Sequence, residues 1–387
     1  MVLALLPLAL LLAVNAGLSF VYAMPPAVDD WNLFRRERAQ TLGENLDWRT
    51  GAEVLAACRS TGCRPYVNAT ELPMAGSILP VAGGMPRSRT VYCNETGKWK
   101  FVDTDRFGFD SNADRLFENA DVVLVGDSFA TGACVEEERT IAGLLRSRGI
   151  ELLNLGVGGN KPLEQLAVIK EYMPSAHALV LTFYEGNNYL RDRNPEFMKK
   201  YLDPGFTQHL KQRPDEVAEN IARIEEIIWS HLDAWFAPGQ ESWQNHVRNA
   251  LAPTISLLRS FDPAGLEFDQ PLYQQTLAEA YRAASEKGAR RFYLVYLPAA
   301  ERFMWAPRNH PEVAAFDKLK ESVKASAGAT GFVFIDMTDR FYRTPDPLGL
   351  IPYRSHAHYN QAGYLLVADA IESALRAAPA PSSLSRQ

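Results

Sequence analysis

From Ala120 onward the chain alternates short apolar segments with amphipathic ones. The apolar runs "DVVLVGD", "IELLNLGV" and "HALVLTFYEG" have the length of strands, and "RTIAGLLRSRG" and "PLEQLAVIKEYM" between them have the apolar spacing of helices. Strands and helices that alternate in this way form a parallel sheet with helices on both faces. Strands that are apolar along their whole length fit burial on both sides. The sequence therefore predicts a three-layer α/β/α domain.

This alternation is interrupted between about residues 190 and 288. There, "PDEVAENIARIEEIIWSHLDAWF" and "QPLYQQTLAEAYRAASEKG" have helical periodicity with no clear strand between them, which predicts a helical insertion or cap. Strand-like "RRFYLVYLP" and "GFVFIDMT" follow, and "NQAGYLLVADAIESALRAA" predicts a last helix. We expect one domain over residues 114–376, an irregular N-terminal extension over 24–113 that is rich in Pro, Gly, Arg and Asp, and a disordered tail over 377–387.

The first 23 residues carry no charged side chain. Such a segment is long enough to span a bilayer, and "VYA" before Met24 resembles a signal-peptide cleavage site. Arg35, Arg36 and Arg38 follow the apolar run and count against export of the rest. A signal peptide and an N-terminal membrane anchor both remain open. Either one predicts a periplasmic or extracellular protein, or one attached to the inner membrane.

Charge and cysteine content narrow the class of protein. The formal net charge of −6 and the lack of a basic run exclude an ordinary nucleic-acid binder. Four cysteines allow three full pairings, and Cys58 and Cys63 in "CRSTGC" are close enough for a local disulfide, although free thiols are equally open. No CxxC motif with a nearby histidine occurs, so no metal site is expected.

Polar or small residues follow several predicted strands. Ser128 in "GDSFATG" comes directly after the first strand, with Asp127 placed to shape the turn. Gly159 in "NLGVGGNKP" and Asn187 in "YEGNNY" follow the next two, and His358 in "SHAHYNQAGY" precedes the last helix. Each alone fits a cap or a turn. Together they match a serine activated by a histidine, with N–H donors directed at an oxyanion.

These four segments resemble the motif blocks of the SGNH hydrolases, also called the GDSL-like lipase/acylhydrolase family. The resemblance implies their flavodoxin-like α/β/α fold. It assigns Ser128 as the nucleophile and as one oxyanion donor through its N–H. Gly159 and Asn187 would be the other donors, with Asn188 an alternative to Asn187. His358 would be the general base.

The sequence departs from the family at the residue that orients the histidine. An Asp often lies three residues before the base, but here that position is Ser355, and His356 follows it. A backbone carbonyl or a carboxylate from elsewhere could replace the missing acid. Asp346 in "TPDPLG" is one candidate, although an Asp-Pro turn explains it equally well.

The apolar N-terminal segment, "GDSFATGACV" and "FYEGNN" resemble exported bacterial SGNH proteins that modify cell-surface polysaccharide. This subclass implies a serine esterase that removes small acyl groups, O-acetyl above all, from carbohydrate. The partner is then an acylated carbohydrate, with no cofactor and no metal. Two alternatives stay open: an O-acyltransferase that uses the same Ser-His pair, and a non-catalytic protein that binds polysaccharide.

Overall fold

The computed structural model describes residues 13–14, 31–66, 84–110, 114–189, 195–230, 268–304, 311–355 and 357–377. Almost all of the segment expected to be a signal peptide or anchor lies outside these ranges, as do residues 378–387 of the predicted tail. Within the described ranges, no helix is long and apolar enough to cross a membrane.

Strands and helices are numbered in chain order. The strands are β1 (Arg64–Pro65), β2 (Arg89–Val91), β3 (Phe101–Asp103), β4 (Asn119–Val125), β5 (Leu152–Asn154), β6 (Ser175–Tyr184), β7 (Arg291–Leu297) and β8 (Val333–Asp336). The helices are α1 (Trp31–Leu42), α2 (Gly51–Cys58), α3 (Ser128–Thr131), α4 (Ile141–Ser147), α5 (Pro162–Tyr172), α6 (Pro195–Met198), α7 (Pro214–Ser230), α8 (Gln270–Glu286), α9 (Glu301–Met304), α10 (Pro311–Ala329), α11 (Met337–Tyr342) and α12 (Gln361–Arg376).

The main sheet has five parallel strands in the order β5-β4-β6-β7-β8. Counted from β4, this is the order 2-1-3-4-5 of flavodoxin-like folds. Side chains of β4 alternate between the two faces: Val123 and Val125 lie in one apolar cluster, and Val122 and Leu124 in the other. The predicted three-layer α/β/α fold is confirmed.

Helices cover both faces of this sheet. Helices α5, α8 and α10 pack on the face of Val123, and α4, α11 and α12 pack on the face of Val122. Helix α8 therefore belongs to a helical layer, as the crossover between β6 and β7, and does not lie in a cap. The described part of the predicted insertion that precedes α8 ends with α7 at Ser230, and residues 231–267 lie outside the described ranges.

The N-terminal extension has a small sheet of its own. Strand β2 pairs in parallel with β1 and antiparallel with β3. A disulfide joins Cys93, two residues beyond β2, to Cys134, shortly after α3. Cys58 and Cys63, for which a local disulfide was one prediction, are both free thiols. The extension is thus linked covalently to the turn that follows β4.

Candidate active site

Ser128 lies where β4 ends and the polypeptide turns into α3. Asp127 caps this short helix: its Oδ1 accepts the N–H of Phe129 at 2.9 Å, as expected from the sequence. A side chain on Gly126 would collide with Thr182 of the neighbouring strand, which explains the glycine before the cap. Burial raises the pKa of the Asp127 carboxyl, which is fully enclosed. The turn leaves the Ser128 side chain at the carboxyl edge of the sheet, 8% exposed.

His358 meets this serine from the segment between β8 and α12. Its Nε2 is 2.6 Å from Ser128 Oγ, which is hydrogen-bond distance. Two residues later, Asn360 caps α12 by accepting the N–H groups of Ala362 and Gly363. The Phe129 ring lies beside the imidazole, with ring centroids 4.7 Å apart. The helix start and this aromatic contact together fix the position of the imidazole.

Glu95, in the extension, occupies the other side of the same imidazole. Its Oε2 lies 2.8 Å from His358 Nδ1 and accepts the backbone N–H of His358 at 2.7 Å. An ionised carboxylate can only accept, so Nδ1 carries the proton in this pair. Nε2 is then the unprotonated nitrogen and accepts the Ser128 hydroxyl. The three side chains form the hydrogen-bond chain of a catalytic triad.

The residues around Glu95 bind the extension to the main domain. Cys93 forms the disulfide with Cys134, and Thr96 donates to the Cys134 carbonyl at 2.7 Å. Asn94 donates to the carbonyl of Asp47 at 2.7 Å within the extension. Each residue of the 93–96 segment therefore has a partner of its own, which leaves Glu95 little freedom to move away from His358.

The sequence suggested three other residues close to His358, namely Asp346, Ser355 and His356. Asp346, the candidate orienting acid, pairs with Arg354 instead. Ser355 is buried and donates to the carbonyl of Pro352 at 3.1 Å. His356 lies outside the described residues. The carboxylate bound to His358 thus comes from residue 95, which lies 263 positions earlier in the sequence.

The glycine turn after β5 lies close to α3. A side chain on Gly156 would contact Ala130 and Thr131 of that helix. Gly159 adopts a φ of +81°, which favours glycine. The N–H groups on either side of it are in use: that of Gly158 donates to Tyr66 Oη at 3.1 Å, and that of Asn160 to the Val157 carbonyl. No acceptor among the described residues bonds the N–H of Gly159 itself.

The two asparagines after β6 differ in their surroundings. Asn188 is buried: its Oδ1 accepts the N–H of Tyr184 at 2.6 Å, and its Nδ2 donates to the Asn160 carbonyl at 3.1 Å. The Nδ2 of Asn188 also reaches Asn187 Oδ1 at 3.1 Å. Asn187 is partly exposed, and it uses its Oδ1, not its Nδ2, in the bond with Asn188. Asn188 thus ties two loops of the site together and holds the Asn187 side chain.

One group of potential metal ligands in the described part of the chain overlaps this site: Glu95, Cys134 and His358. The sulfur of Cys134 is in the disulfide with Cys93 and is not a thiolate. Metal binding by these three residues would require that disulfide to be broken.

Comparison with known proteins gives structural likenesses only. Neither protein-family models nor curated protein sequences give a match. Among solved structures, TesA matches at 12% identity over 66% of this chain and 98% of its own, with a TM-score of 0.36. Acetylxylan esterase Axe2 from Geobacillus stearothermophilus matches at 16% identity over 68% and 98%, with a TM-score of 0.37. A candidate SGNH hydrolase from Slackia heliotrinireducens matches at 13% identity over 66% and 100%, with a TM-score of 0.32. SGNH hydrolases and esterases are thus among the matches.

Glu95 is the residue of the candidate site that the sequence did not reveal. It lies in "CNETGKW", in a segment without strong hydrophobic periodicity and 263 residues before His358. One signal was present: Cys93 and Cys134 flank Glu95 and Ser128, respectively, and pairing them would have placed the two segments side by side. With three full pairings open, the sequence could not select that one.

Proposed function

We propose that the protein is a serine esterase that hydrolyses small acyl esters on carbohydrate through an acyl-enzyme. The observation that carries this proposal is the chain of hydrogen bonds Ser128–His358–Glu95, with distances of 2.6 and 2.8 Å. Such a chain activates a hydroxyl that is otherwise a weak nucleophile.

In the first half of the reaction, Ser128 Oγ attacks the ester carbonyl while His358 Nε2 takes its proton. The bond between the acyl carbon and the sugar oxygen breaks, and the departing sugar oxygen receives that proton. This leaves the acyl group on Ser128. In the second half, water attacks the acyl carbon, His358 takes a proton from the water, and Ser128 leaves with that proton. Glu95 holds Nδ1–H throughout and stabilises the imidazolium that forms in each half.

The oxyanion that forms in each half needs N–H donors. We assign this role to the backbone N–H groups of Ser128 and Gly159 and to the Nδ2 of Asn187. The Gly159 N–H is favoured because its neighbours in the turn already donate to other acceptors. Asn187 is favoured over Asn188 because the amide of Asn188 is bonded at both ends within the fold.

Acylated carbohydrate as the substrate is supported by the motif resemblance to exported proteins that modify polysaccharide. A small acyl group, acetyl in the first place, fits that subclass. Hydrolysis of a sugar acetate by the same serine is the corresponding expectation.

The test is hydrolysis of p-nitrophenyl acetate and of an acetylated xylo-oligosaccharide by the full chain, beside Ser128→Ala and His358→Ala. We expect each variant to lose about a thousandfold or more of kcat, because nucleophile and base act as a unit. Ser147→Ala and His177→Ala are matched controls. Ser147 is an exposed serine, and His177 Nδ1 lies 3.6 Å from Asp121 on the surface. Both controls should retain wild-type rates.

Two results would count against the proposal. One is a Ser128→Ala protein that hydrolyses both esters at the wild-type rate. The other is a folded wild-type protein that binds the oligosaccharide without releasing acetate, which would favour a binding role. Release of the acetyl group onto an added sugar instead of onto water would point to the transferase.

A further inference from the structure

Two tyrosines of the extension lie against the loops of the candidate site. Tyr66 follows β1 and Tyr92 follows β2, and the parallel register, with Pro65 opposite Val91, places them side by side. Their ring centroids are 4.0 Å apart, with the planes tilted by 30°. Neither residue is in a motif block, and the reaction described above gives neither a role.

Their hydroxyl groups contact two different segments of the site. Tyr66 Oη accepts the N–H of Gly158 at 3.1 Å, one residue before the proposed oxyanion donor Gly159. Tyr92 Oη lies 3.4 Å from Thr131 Oγ1, a longer contact, and Thr131 donates to the carbonyl of Ser128 at 2.7 Å. The tyrosine pair therefore bridges the glycine turn and the helix that begins with the nucleophile.

The contact at Gly158 is close. A Cβ atom at this position would lie 2.8 Å from Tyr92 Oη and 3.4 Å from the Tyr66 ring. The backbone can approach the tyrosines this closely only because residue 158 is a glycine. Burial raises the pKa of Tyr66 to about 12, so its hydroxyl stays neutral at the pH of any ordinary assay.

We propose that Tyr66, supported by Tyr92, is a positioning residue that holds the glycine turn so that the Gly159 N–H points at the developing oxyanion. The Tyr66 hydroxyl takes the Gly158 N–H, which fixes the orientation of the turn and leaves the next N–H for the substrate. An oxyanion donor must lie about 2.7–3.1 Å from the oxygen, so a small reorientation of the turn weakens transition-state stabilisation. This inference rests on the proposed function, since it requires an acyl-transfer oxyanion.

The decisive variant is Tyr66→Phe, which keeps the ring beside Tyr92 and removes the hydroxyl that accepts the Gly158 N–H. With p-nitrophenyl acetate we expect kcat to fall about tenfold and KM to stay within about twofold, because the lost interaction acts on the transition state. Inhibition by a trifluoromethyl ketone, which forms an oxyanion on the serine, should weaken in parallel. Tyr92→Phe should show the same pattern to a smaller extent.

Tyr293→Phe is the matched control. Its hydroxyl donates to the Ala374 carbonyl at 3.0 Å, so this variant also loses one bond between a tyrosine and the backbone, but away from the site. Thermal unfolding of all three variants reports any loss of stability. A fall in kcat that Tyr293→Phe shares, or that follows the loss of folded protein, would assign the tyrosines to packing and overturn the inference.

The failure of this inference and that of the proposed function give different results. Unchanged kcat and ketone inhibition in Tyr66→Phe, with Ser128→Ala inactive, would overturn the role of Tyr66 and leave the esterase intact. Wild-type hydrolysis by Ser128→Ala would overturn both.

Discussion

The Glu95 carboxylate contacts His358 at two points, the ring Nδ1 and the backbone N–H, through the same oxygen. The ring contact sets the tautomer of the imidazole, and the backbone contact fixes the start of the segment that carries it. Because Glu95 belongs to the extension and His358 to the main domain, the imidazole is oriented across the junction between them.

Replacement of Glu95 by glutamine is expected to lower kcat by about 10²- to 10⁴-fold, because the neutral amide neither stabilises the imidazolium nor enforces the proton on Nδ1. The measurement is steady-state hydrolysis of p-nitrophenyl acetate. Glu136→Gln is the control, since Glu136 is an exposed glutamate two residues beyond Cys134. Activity of Glu95→Gln within about threefold of the wild type would show that Glu95 is dispensable.

Reduction of the Cys93–Cys134 disulfide should lower both stability and activity. The bond closes a loop with a sequence separation of 41 residues, so its loss should reduce the free energy of unfolding by about 2–4 kcal/mol. Glu95 lies two residues from Cys93, and we expect kcat to fall about tenfold as its carboxylate gains freedom.

The measurement compares ester hydrolysis and urea unfolding of the wild type with and without dithiothreitol. Cys93→Ala/Cys134→Ala should match the reduced wild type and show no further response to dithiothreitol. A Cys58→Ser protein should respond as the wild type does, because Cys58 is not in a disulfide. Full activity of the reduced protein would show that the disulfide does not position Glu95.

The two asparagines after β6 should respond differently to alanine substitution. Asn187→Ala removes a proposed oxyanion donor, and we expect kcat to fall about 10²- to 10³-fold with stability unchanged. Asn188→Ala leaves the buried N–H of Tyr184 without its acceptor, and we expect a loss of about 1–3 kcal/mol in the free energy of unfolding. Kinetics and urea unfolding of both variants test this. A stable, inactive Asn188→Ala beside an active Asn187→Ala would reverse the assignment.

Asp105 should make stability fall as pH rises. Burial raises its pKa to about 7, although its Oδ1 accepts the N–H groups of Phe107 and Phe109. Between the unfolded pKa and the folded pKa, the folded protein keeps a proton on Asp105 that the unfolded chain has lost. The contribution of Asp105 to the free energy of unfolding therefore falls as pH rises through this range. Relative to Asp105→Asn, which is always neutral, the wild type should lose about 1 kcal/mol per pH unit between about pH 5 and about pH 7.

The measurement is the difference in unfolding free energy between the two proteins at several pH values, in which the contributions of other groups cancel. Asp103→Asn is a matched control two residues away at the end of β3, since Asp103 is exposed. A difference that stays constant, or that grows in favour of the wild type with rising pH, would contradict the expectation.

Local pattern was enough to predict the main sheet. Strand β4 is a run of buried valines and leucine, and Ser128 follows it directly, so hydrophobic pattern and turn chemistry agree there. The position of helix α8 was harder to predict, because a long segment separates it from β6 in the sequence. Its packing against α5 and α10 places it in a layer.

Glu95 could not be predicted for a different reason. Its role depends on a contact with a residue 263 positions away, and nothing in the periodicity of either segment encodes that distance. Asp346 was a reasonable candidate by proximity in sequence, but Arg354 is its partner. Proximity along the chain was therefore a poor guide to which carboxylate reaches the histidine.

The small sheet and the large sheet are separate hydrogen-bonded units, yet the esterase we propose is assembled from both. A fragment that starts at residue 114 would keep the serine, the histidine and all five parallel strands, and would lack the carboxylate that orients the imidazole. Shortened or fused versions of this protein should therefore retain the extension from β1 onward. In evolution, residues 93–96 and the turn from Ser128 to Cys134 should be inherited, lost or exchanged together.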